Sequence, residues 1–137
     1  MEAIIAINKL GYIGLKGSLP WRCSDDLKHF KKLTMGKKLV VGRKTAEQLP
    51  NLKGREVFIL GKDHCDLKDI LQRVKPDFVI GGAMVYDVLL PLCSVIHVSR
   101  INDYTIGDTK YQIPKELLNK VINYEFNTNE SKREKNI

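Results

Sequence analysis

Short runs of apolar, β-branched residues recur along the chain and are separated by stretches in which apolar residues follow helical spacing. The apolar runs, which are typical of buried strands, are AIIAI (3–7), KLVVG (38–42), EVFIL (56–60), DFVIG (77–81), SVIHVSRI (94–101) and VINYEF (121–126). The amphipathic stretches predict helices at about 25–34, 44–49, 67–74 and 83–90. Strands that alternate with helices predict an α/β fold with a largely parallel sheet. No long helix separates the last two runs, so we expect antiparallel strands at the C-terminal edge.

The length of 137 residues corresponds to one domain, which we expect to span 1–137 with a polar end over about 127–137. A content of 43% hydrophobic and 28% charged residues is typical of a globular protein. The apolar runs are too short to cross a membrane and the N-terminus lacks the features of a signal peptide, so we expect a cytoplasmic protein. Three widely spaced cysteines supply neither a disulfide framework nor a CxxC motif, and no metal site is predicted.

The net charge of +7 arises in a single segment. Residues 28–46 contain seven basic side chains and no acidic one, whereas charges balance in the rest of the chain. The segment is either a solvated helix face with a basic turn or a region that attracts an anionic ligand. A nucleic-acid-binding module is a further alternative, but Phe30 is the one aromatic residue within the segment, and such modules interleave aromatic rings with the charges.

Two adjacent aspartates, Asp25 and Asp26, open the first predicted helix, with Ser24 as the expected N-cap. At about 100° per residue, Asp26 falls inside the apolar arc with Phe30, and Asp25 falls on the solvent side with His29. Helix capping and solvation are enough to explain Asp25. An inward-facing carboxylate is costly unless it is paired, so Asp26 is either satisfied by backbone amides or faces a ligand at the edge of an apolar cleft.

Glycines mark two of the predicted strand-to-helix junctions. In LVVGRKTAEQL, Gly42 ends a strand and the basic residues that follow start a helix; in FVIGGAMVYDVLLP, Gly81 and Gly82 have the same position. Neither junction matches GxGxxG or GxxxxGK[ST]. The glycines either punctuate ordinary turns or let an anionic ligand approach the helix N-termini across the carboxyl ends of parallel strands.

From about Ala3 to Tyr111 the chain resembles the dihydrofolate reductase family. The resemblance rests on the AIIAI strand, YIGLKGSLPW, Asp26-Leu27 followed by Phe30-Lys31, VVGRKT, LKGR, FILGK, VIGGAMVY and GDTKY. It implies a three-layer α/β domain with four flanking helices and a central sheet of about seven to eight strands. The implied activity is NADPH-dependent reduction of 7,8-dihydrofolate to tetrahydrofolate, with hydride transfer to C6 of the pterin and protonation of N5. We expect a monomer that binds this small molecule and neither nucleic acid nor membrane.

The resemblance implies that Asp26 hydrogen-bonds the 2-amino and N3 edge of the pterin and promotes protonation of N5, with a water as the immediate donor. Ser99 takes the place of the family's usual threonine in this network. Arg55 would clamp the α-carboxylate of the glutamate tail, a bidentate task that lysine performs poorly. The implied catalytic residues are Asp26, Ser99, Leu19 and Trp21. The implied substrate-binding residues are Ile4, Ala6, Asp26, Leu27, Phe30, Leu49, Leu52, Arg55, Ile80, Tyr86 and Ser99, of which the apolar ones are also explained by core packing.

For NADPH, the implied contact residues are Ala6, Ile13, Gly14, Leu19, Gly42, Arg43, Lys44, Thr45, Leu60, Gly61, Lys62, Ile80, Gly81, Gly82, Ala83, Met84, Val85 and Tyr86. Within this set, the resemblance implies a cis peptide between Gly81 and Gly82, and a contact of Lys62 with the 2′-phosphate. Residues 15–19 would form a mobile loop over the nicotinamide, contacted by Asp108 in the closed state.

The chain departs from the family pattern in two places. The segment 63–77 is short, which affects the expected adenine contacts, and only the stretch 112–137 follows the last motif, so we expect a curtailed final strand. A related NADPH-dependent pyrimidine reductase of riboflavin synthesis is an alternative with the same fold. It would not require Asp26 together with Arg55.

Overall fold

The computed structural model describes residues 1–14, 19–61 and 66–128, in which strands and short helices follow the predicted order. The strands are β1 (Glu2–Asn8), β2 (Tyr12–Gly14), β3 (Lys38–Gly42), β4 (Glu56–Leu60), β5 (Phe78–Val79), β6 (Ile96–Asn102), β7 (Thr109–Lys110) and β8 (Val121–Asn127). The α-helices are α1 (Ser24–Thr34), α2 (Arg43–Gln48), α3 (Leu67–Asp69) and α4 (Ala83–Leu89). A π-helical turn (Ile70–Val74) continues α3, a 3₁₀ turn (Leu90–Leu92) continues α4, and a second 3₁₀ turn (Lys115–Lys120) precedes β8.

Six strands form the central sheet in the order β4-β3-β5-β1-β6-β8, and every pair of neighbours is parallel. The mostly parallel α/β fold is therefore confirmed, although this sheet has fewer strands than the seven to eight expected. Parallel strands are buried on both faces, which explains the nearly continuous apolar runs such as AIIAI. The remaining two strands, β2 and β7, form a separate antiparallel pair.

The predicted antiparallel C-terminal edge is wrong, because β8 pairs with β6 in parallel. The connection over 103–120 does not turn back as a hairpin. Within this connection, β7 pairs with β2, and the residues after β7 bury Ile113 and Leu117 in the main core. Packing of these two side chains carries the chain across the sheet, so that β8 starts at the same end as β6.

Alternate residues of β1 face opposite sides of the sheet. Ile5 and Ile7 pack into the main core together with Leu89 of α4. Ile4 packs on the other side, in a cluster that Phe30 of α1 joins. The sheet therefore lies between α1 on one face and α4 on the other.

Helix α1 begins one residue earlier than expected. Ser24 is its first residue, and Cys23 rather than Ser24 occupies the N-cap position, with extended backbone and no side-chain capping bond. The Cys23 carbonyl accepts the N–H of Leu27, and its buried thiol donates to the Asn127 carbonyl at 3.2 Å. Contact of Cys23 with β8 therefore holds the start of the helix in place.

Within the described ranges, no helix combines the length and the apolar character that a membrane span requires.

Candidate functional site

Asp26 and Ser99 meet between α1 and the central sheet. The Asp26 side chain points inward from the first turn of α1 and the residue is 7% exposed, while Ser99 of β6 is 1% exposed. The Ser99 hydroxyl faces the Asp26 carboxylate. Burial raises the pKa of Asp26, and the Ser99 hydroxyl and the nearby His29 oppose the rise. Asp25 is exposed, so the helix geometry separated the two aspartates correctly.

An apolar cluster lies on the same face of the sheet. Its buried members are Ile4, Leu39 and Phe78, and Phe30, Leu33, Leu52 and Ile80 pack against them. Four residues predicted to bind substrate are thus brought together: Ile4, Phe30, Leu52 and Ile80. Leu27 does not join this cluster and is 52% exposed, and Leu49 is half-buried just after α2.

Trp21 belongs to a separate apolar cluster. Its ring packs with Cys23 and Ile101, and Ala6 lies against the same group. The indole Nε1 is buried and has no hydrogen-bond partner in the described part of the chain. An indole nitrogen in this condition is a donor available to a polar ligand. Leu19, which precedes it, is exposed.

Arg55 is positioned by Thr34, the last residue of α1. The Arg55 Nη1 donates to Thr34 Oγ1 at 3.3 Å, and Nε donates to the Lys53 carbonyl at 3.0 Å. The Thr34 hydroxyl in turn donates to the Phe30 carbonyl at 2.8 Å. The guanidinium is therefore tied to the same helix that carries Asp26.

The two glycine junctions lie side by side. Gly42 N–H donates to the Gly81 carbonyl at 2.8 Å, and the Gly81–Gly82 peptide is cis, as the family resemblance implied. A Cβ on Gly82 would lie 2.7 Å from Thr45 Oγ1, and one on Gly42 would lie 2.9 Å from Val85 Cγ2. Side chains at these positions would therefore collide with the first turns of α2 and α4.

The remaining residues predicted to contact the cofactor near these junctions differ in their exposure to solvent. Arg43 and Lys44 are exposed at the start of α2, and a Cβ on Gly61, which follows Leu60 of β4, would lie 3.8 Å from Arg43 Cδ. Met84 of α4 is 83% exposed, whereas Ala83 is half-buried and Val85 and Tyr86 are buried.

Tyr86 is held inside the protein. Its hydroxyl donates to the Ile4 carbonyl at 2.7 Å, and burial raises its pKa. This bond ties α4 to β1, the strand that also carries Ala6.

Two of the predicted nicotinamide contacts, Ile13 and Gly14, lie on β2 of the β2–β7 pair. Ile13 packs against the main core, and the Gly14 carbonyl accepts the Asp108 N–H at 2.9 Å. Residues 15–18 and Lys62, which were predicted to act in loop closure and at the 2′-phosphate, lie outside the described residues.

His29 does not lie on the solvent side of α1, so this prediction is wrong. Its ring packs on Tyr124 and Phe126 of β8, with centroid distances of 4.2 and 5.5 Å. Strand β8 extends the sheet far enough to cover this part of the helix. Burial lowers the pKa of His29, and the neighbouring Asp26 opposes that change.

No three His, Cys, Asp or Glu side chains cluster as metal ligands in the part of the chain that the structure describes.

A buried carboxylate beside an apolar cluster, with two glycine junctions at the carboxyl ends of parallel strands, is typical of α/β proteins that bind an anionic ligand. A family model described as dihydrofolate reductase matches residues 1–136. The chain therefore belongs to the dihydrofolate reductase family.

Individual relatives agree with this assignment. The chain is 34% identical over 150 residues to a dihydrofolate reductase of Mycoplasma genitalium, covering 93% of this chain and 94% of the relative. It is 32% identical over 143 residues to a dihydrofolate reductase of Bacillus subtilis, covering 94% and 85%. A solved dihydrofolate reductase from Enterococcus faecalis, complexed with NADP(H) and RAB-propyl, is similar with a TM-score of 0.73 and 30% identity over 83% of this chain and 77% of that chain. These matches do not favour the pyrimidine reductase or the nucleic-acid-binding module.

Replacement of Asp26 by Asn is expected to increase stability at neutral pH. Between the ordinary carboxyl pKa and the raised pKa of Asp26, the folded state holds more protons than the unfolded chain, so the free energy of unfolding falls as pH rises. The asparagine side chain has nearly the same shape as that of aspartate but carries no charge. The free energy of unfolding of the variant therefore does not fall for this reason as the pH rises. Urea denaturation at several pH values should show that the advantage of the variant grows as pH rises through this interval and is smallest in acid. An advantage that is independent of pH would contradict the raised pKa.

Proposed function

We propose that the protein reduces 7,8-dihydrofolate to tetrahydrofolate with NADPH, and that Asp26 controls the proton that this reduction requires. The family to which the chain belongs is one of NADPH-dependent oxidoreductases that carry out this reaction. The observation that carries the residue-level proposal is a buried carboxylate that faces the buried Ser99 hydroxyl, next to an apolar cluster that suits a flat heterocycle.

Asp26 would orient the pterin and promote its protonation. An ionised carboxylate accepts hydrogen bonds from the 2-amino and N3–H groups of the pterin edge, which gives the buried charge the polar partners that it needs. Burial raises the pKa of Asp26, so its carboxyl group holds a proton to higher pH than an exposed aspartate does and promotes protonation of N5. Ser99 fixes the orientation of the carboxylate, and the Trp21 Nε1–H is a further donor facing the pterin.

The rest of the substrate would extend along α1. Phe30, Leu52 and Ile80 supply apolar contact area for the pterin and for the ring that follows it. Arg55, oriented by Thr34, would pair with the α-carboxylate of the glutamate tail.

The glycine junctions suit the pyrophosphate of NADPH. A Cβ would collide at Gly42 and at Gly82, so the backbone there lies close to the first turns of both helices, where N–H groups lack intrahelical partners. Thr45 lies against Gly82, and Arg43 and Lys44 add positive charge at the surface. When bound, NADPH supplies the hydride. Ala6, Ile13, Gly14, Leu19 and Tyr86 would surround its nicotinamide, and Lys62 would meet its 2′-phosphate.

We further propose that the protein works as a cytoplasmic monomer and does not bind nucleic acid. The basic segment 28–46 would then attract the negatively charged substrate and cofactor.

The proposed activity is tested by following NADPH absorbance with purified, folded protein and dihydrofolate. We expect oxidation that depends on both compounds. Asp26→Asn should lower the rate at neutral pH by about 100- to 10,000-fold, with recovery at low pH as the substrate itself becomes easier to protonate. Asp25→Asn is the matched control, because its side chain is exposed on the same helix turn, and it should keep the wild-type rate. Equal losses in the two variants would contradict the division of roles.

Arg55→Lys should raise KM for dihydrofolate by about tenfold, or about 1.4 kcal/mol of binding, because lysine cannot form the bidentate pair. We expect little change in kcat, since the tail lies away from the reacting atoms. Steady-state kinetics measure both constants, with exposed Arg73→Lys as the conservative control. A large loss of kcat with unchanged KM would show that Arg55 does not act on the tail.

A further inference from the structure

His29 lies next to Asp26 but has no part in the chemistry proposed above. The two residues are three positions apart on α1, a separation that makes them neighbours on the helix surface. Tyr124 and Phe126 of β8 hold the His29 ring from the other side, with centroids 4.2 and 5.5 Å away. Its Nε2 is buried without a hydrogen-bond partner among the described residues. A titratable ring is thus fixed beside the Asp26 carboxylate.

A hydrogen-bonded chain supports the ring that holds His29. The Tyr124 hydroxyl lies 2.9 Å from His97 Nδ1, and His97 Nε2 lies 2.6 Å from Glu2 Oε1. Tyr124 also stacks on His97 with centroids 5.9 Å apart. Since Tyr124 is held by His97, it keeps the His29 ring in place.

The charged and titratable groups around His29 come from every element packed against it. Asp26 and Lys32 lie on α1, His97 lies on β6 and is paired with Glu2 of β1, and Tyr124 lies on β8. Burial lowers the pKa of His29, Asp26 raises it, and His97 and Lys32 lower it. In the opposite direction, the charge of His29 lowers the pKa of Asp26. The protonation states of Asp26 and His29 are therefore linked.

We propose that His29 is a positioning residue that acts through Asp26, and that its charge sets the pH range over which the Asp26 carboxyl group holds a proton for the reaction. This inference rests on the proposed function, because it concerns the proton that the reduction needs. In acid, the imidazolium of His29 favours the ionised form of Asp26. As His29 loses its charge, Asp26 holds its proton more firmly, so the upper pH limit of activity depends on both residues.

The first test replaces His29 by Phe, which keeps an aromatic ring against Tyr124 and Phe126 but cannot titrate. Loss of the cationic neighbour should move the pH midpoint of kcat/KM upward by roughly 0.5 pH unit. Lys31→Gln is the control, because it removes a positive charge from an exposed position of the same helix and should leave the midpoint in place. Thermal unfolding checks the fold of each variant, and His29→Gln replaces the Phe variant if that variant is unfolded. A wild-type midpoint in a folded His29 variant would overturn the proposal.

The second test does not depend on activity. An NMR titration follows the His29 ring proton in the wild-type protein and in Asp26→Asn, where loss of the anionic neighbour should lower the pKa of His29. The same pKa in both proteins would overturn the proposal even if the wild-type protein oxidises NADPH. A shifted pKa in a protein that does not oxidise NADPH would instead contradict the proposed function, and with it the effect of His29 on the reaction, while the link between the two residues would stand.

Discussion

The Asp26 carboxylate is buried between α1 and the sheet, where a hydroxyl group from a distant part of the chain favours its charged form. Without Ser99, the carboxylate would lose its side-chain partner on the sheet, and an unpaired buried charge is strongly unfavourable. Ser99 reaches this place because β6 pairs with β1 in parallel, in a register that sets Ser99 opposite Ala6. The apolar cluster of Ile4 and Phe30 then holds α1 on the same face. Asp26 and Ser99 therefore come together only in the folded protein.

The same parallel order creates the second half of the site. Strand β5 lies between β3 and β1, so the turn after β5 comes against the end of β3, where Gly42 donates to the Gly81 carbonyl. The absence of side chains at Gly42 and Gly82 lets α2 and α4 begin close together. Tyr86 ties α4 to β1 through the Ile4 carbonyl, next to the cluster that contacts α1. The carboxylate and the glycine junctions are therefore linked through β1.

Local sequence patterns were sufficient to predict most helices and strands, and to predict which of the two aspartates is buried. The two-residue period of strands and the roughly 3.6-residue period of helices can be recognised from residues that are close in the sequence. The angle between Asp25 and Asp26 around a helix follows from their order alone. The direction of β8 could not be predicted in this way, because it depends on the packing of Ile113 and Leu117 far from the strand. His29 was misplaced for the same reason, since its ring is covered by β8, a strand that is distant in sequence. The hydrogen bond between Thr34 and Arg55 could not be predicted from the sequence, because it joins α1 to a turn 21 positions away.

The ionisation of Asp26 in the free protein tests the central claim most directly. A carbon-13 NMR titration of its carboxyl group gives the pKa in the wild-type protein and in Ser99→Ala. We predict a pKa above about 3.9, the value for an aspartate in water, and a still higher pKa in Ser99→Ala, because the hydrogen bond that favours the charged form is lost. A pKa at or below the value in water, unchanged by removal of the Ser99 hydroxyl, would contradict a buried carboxylate that depends on Ser99.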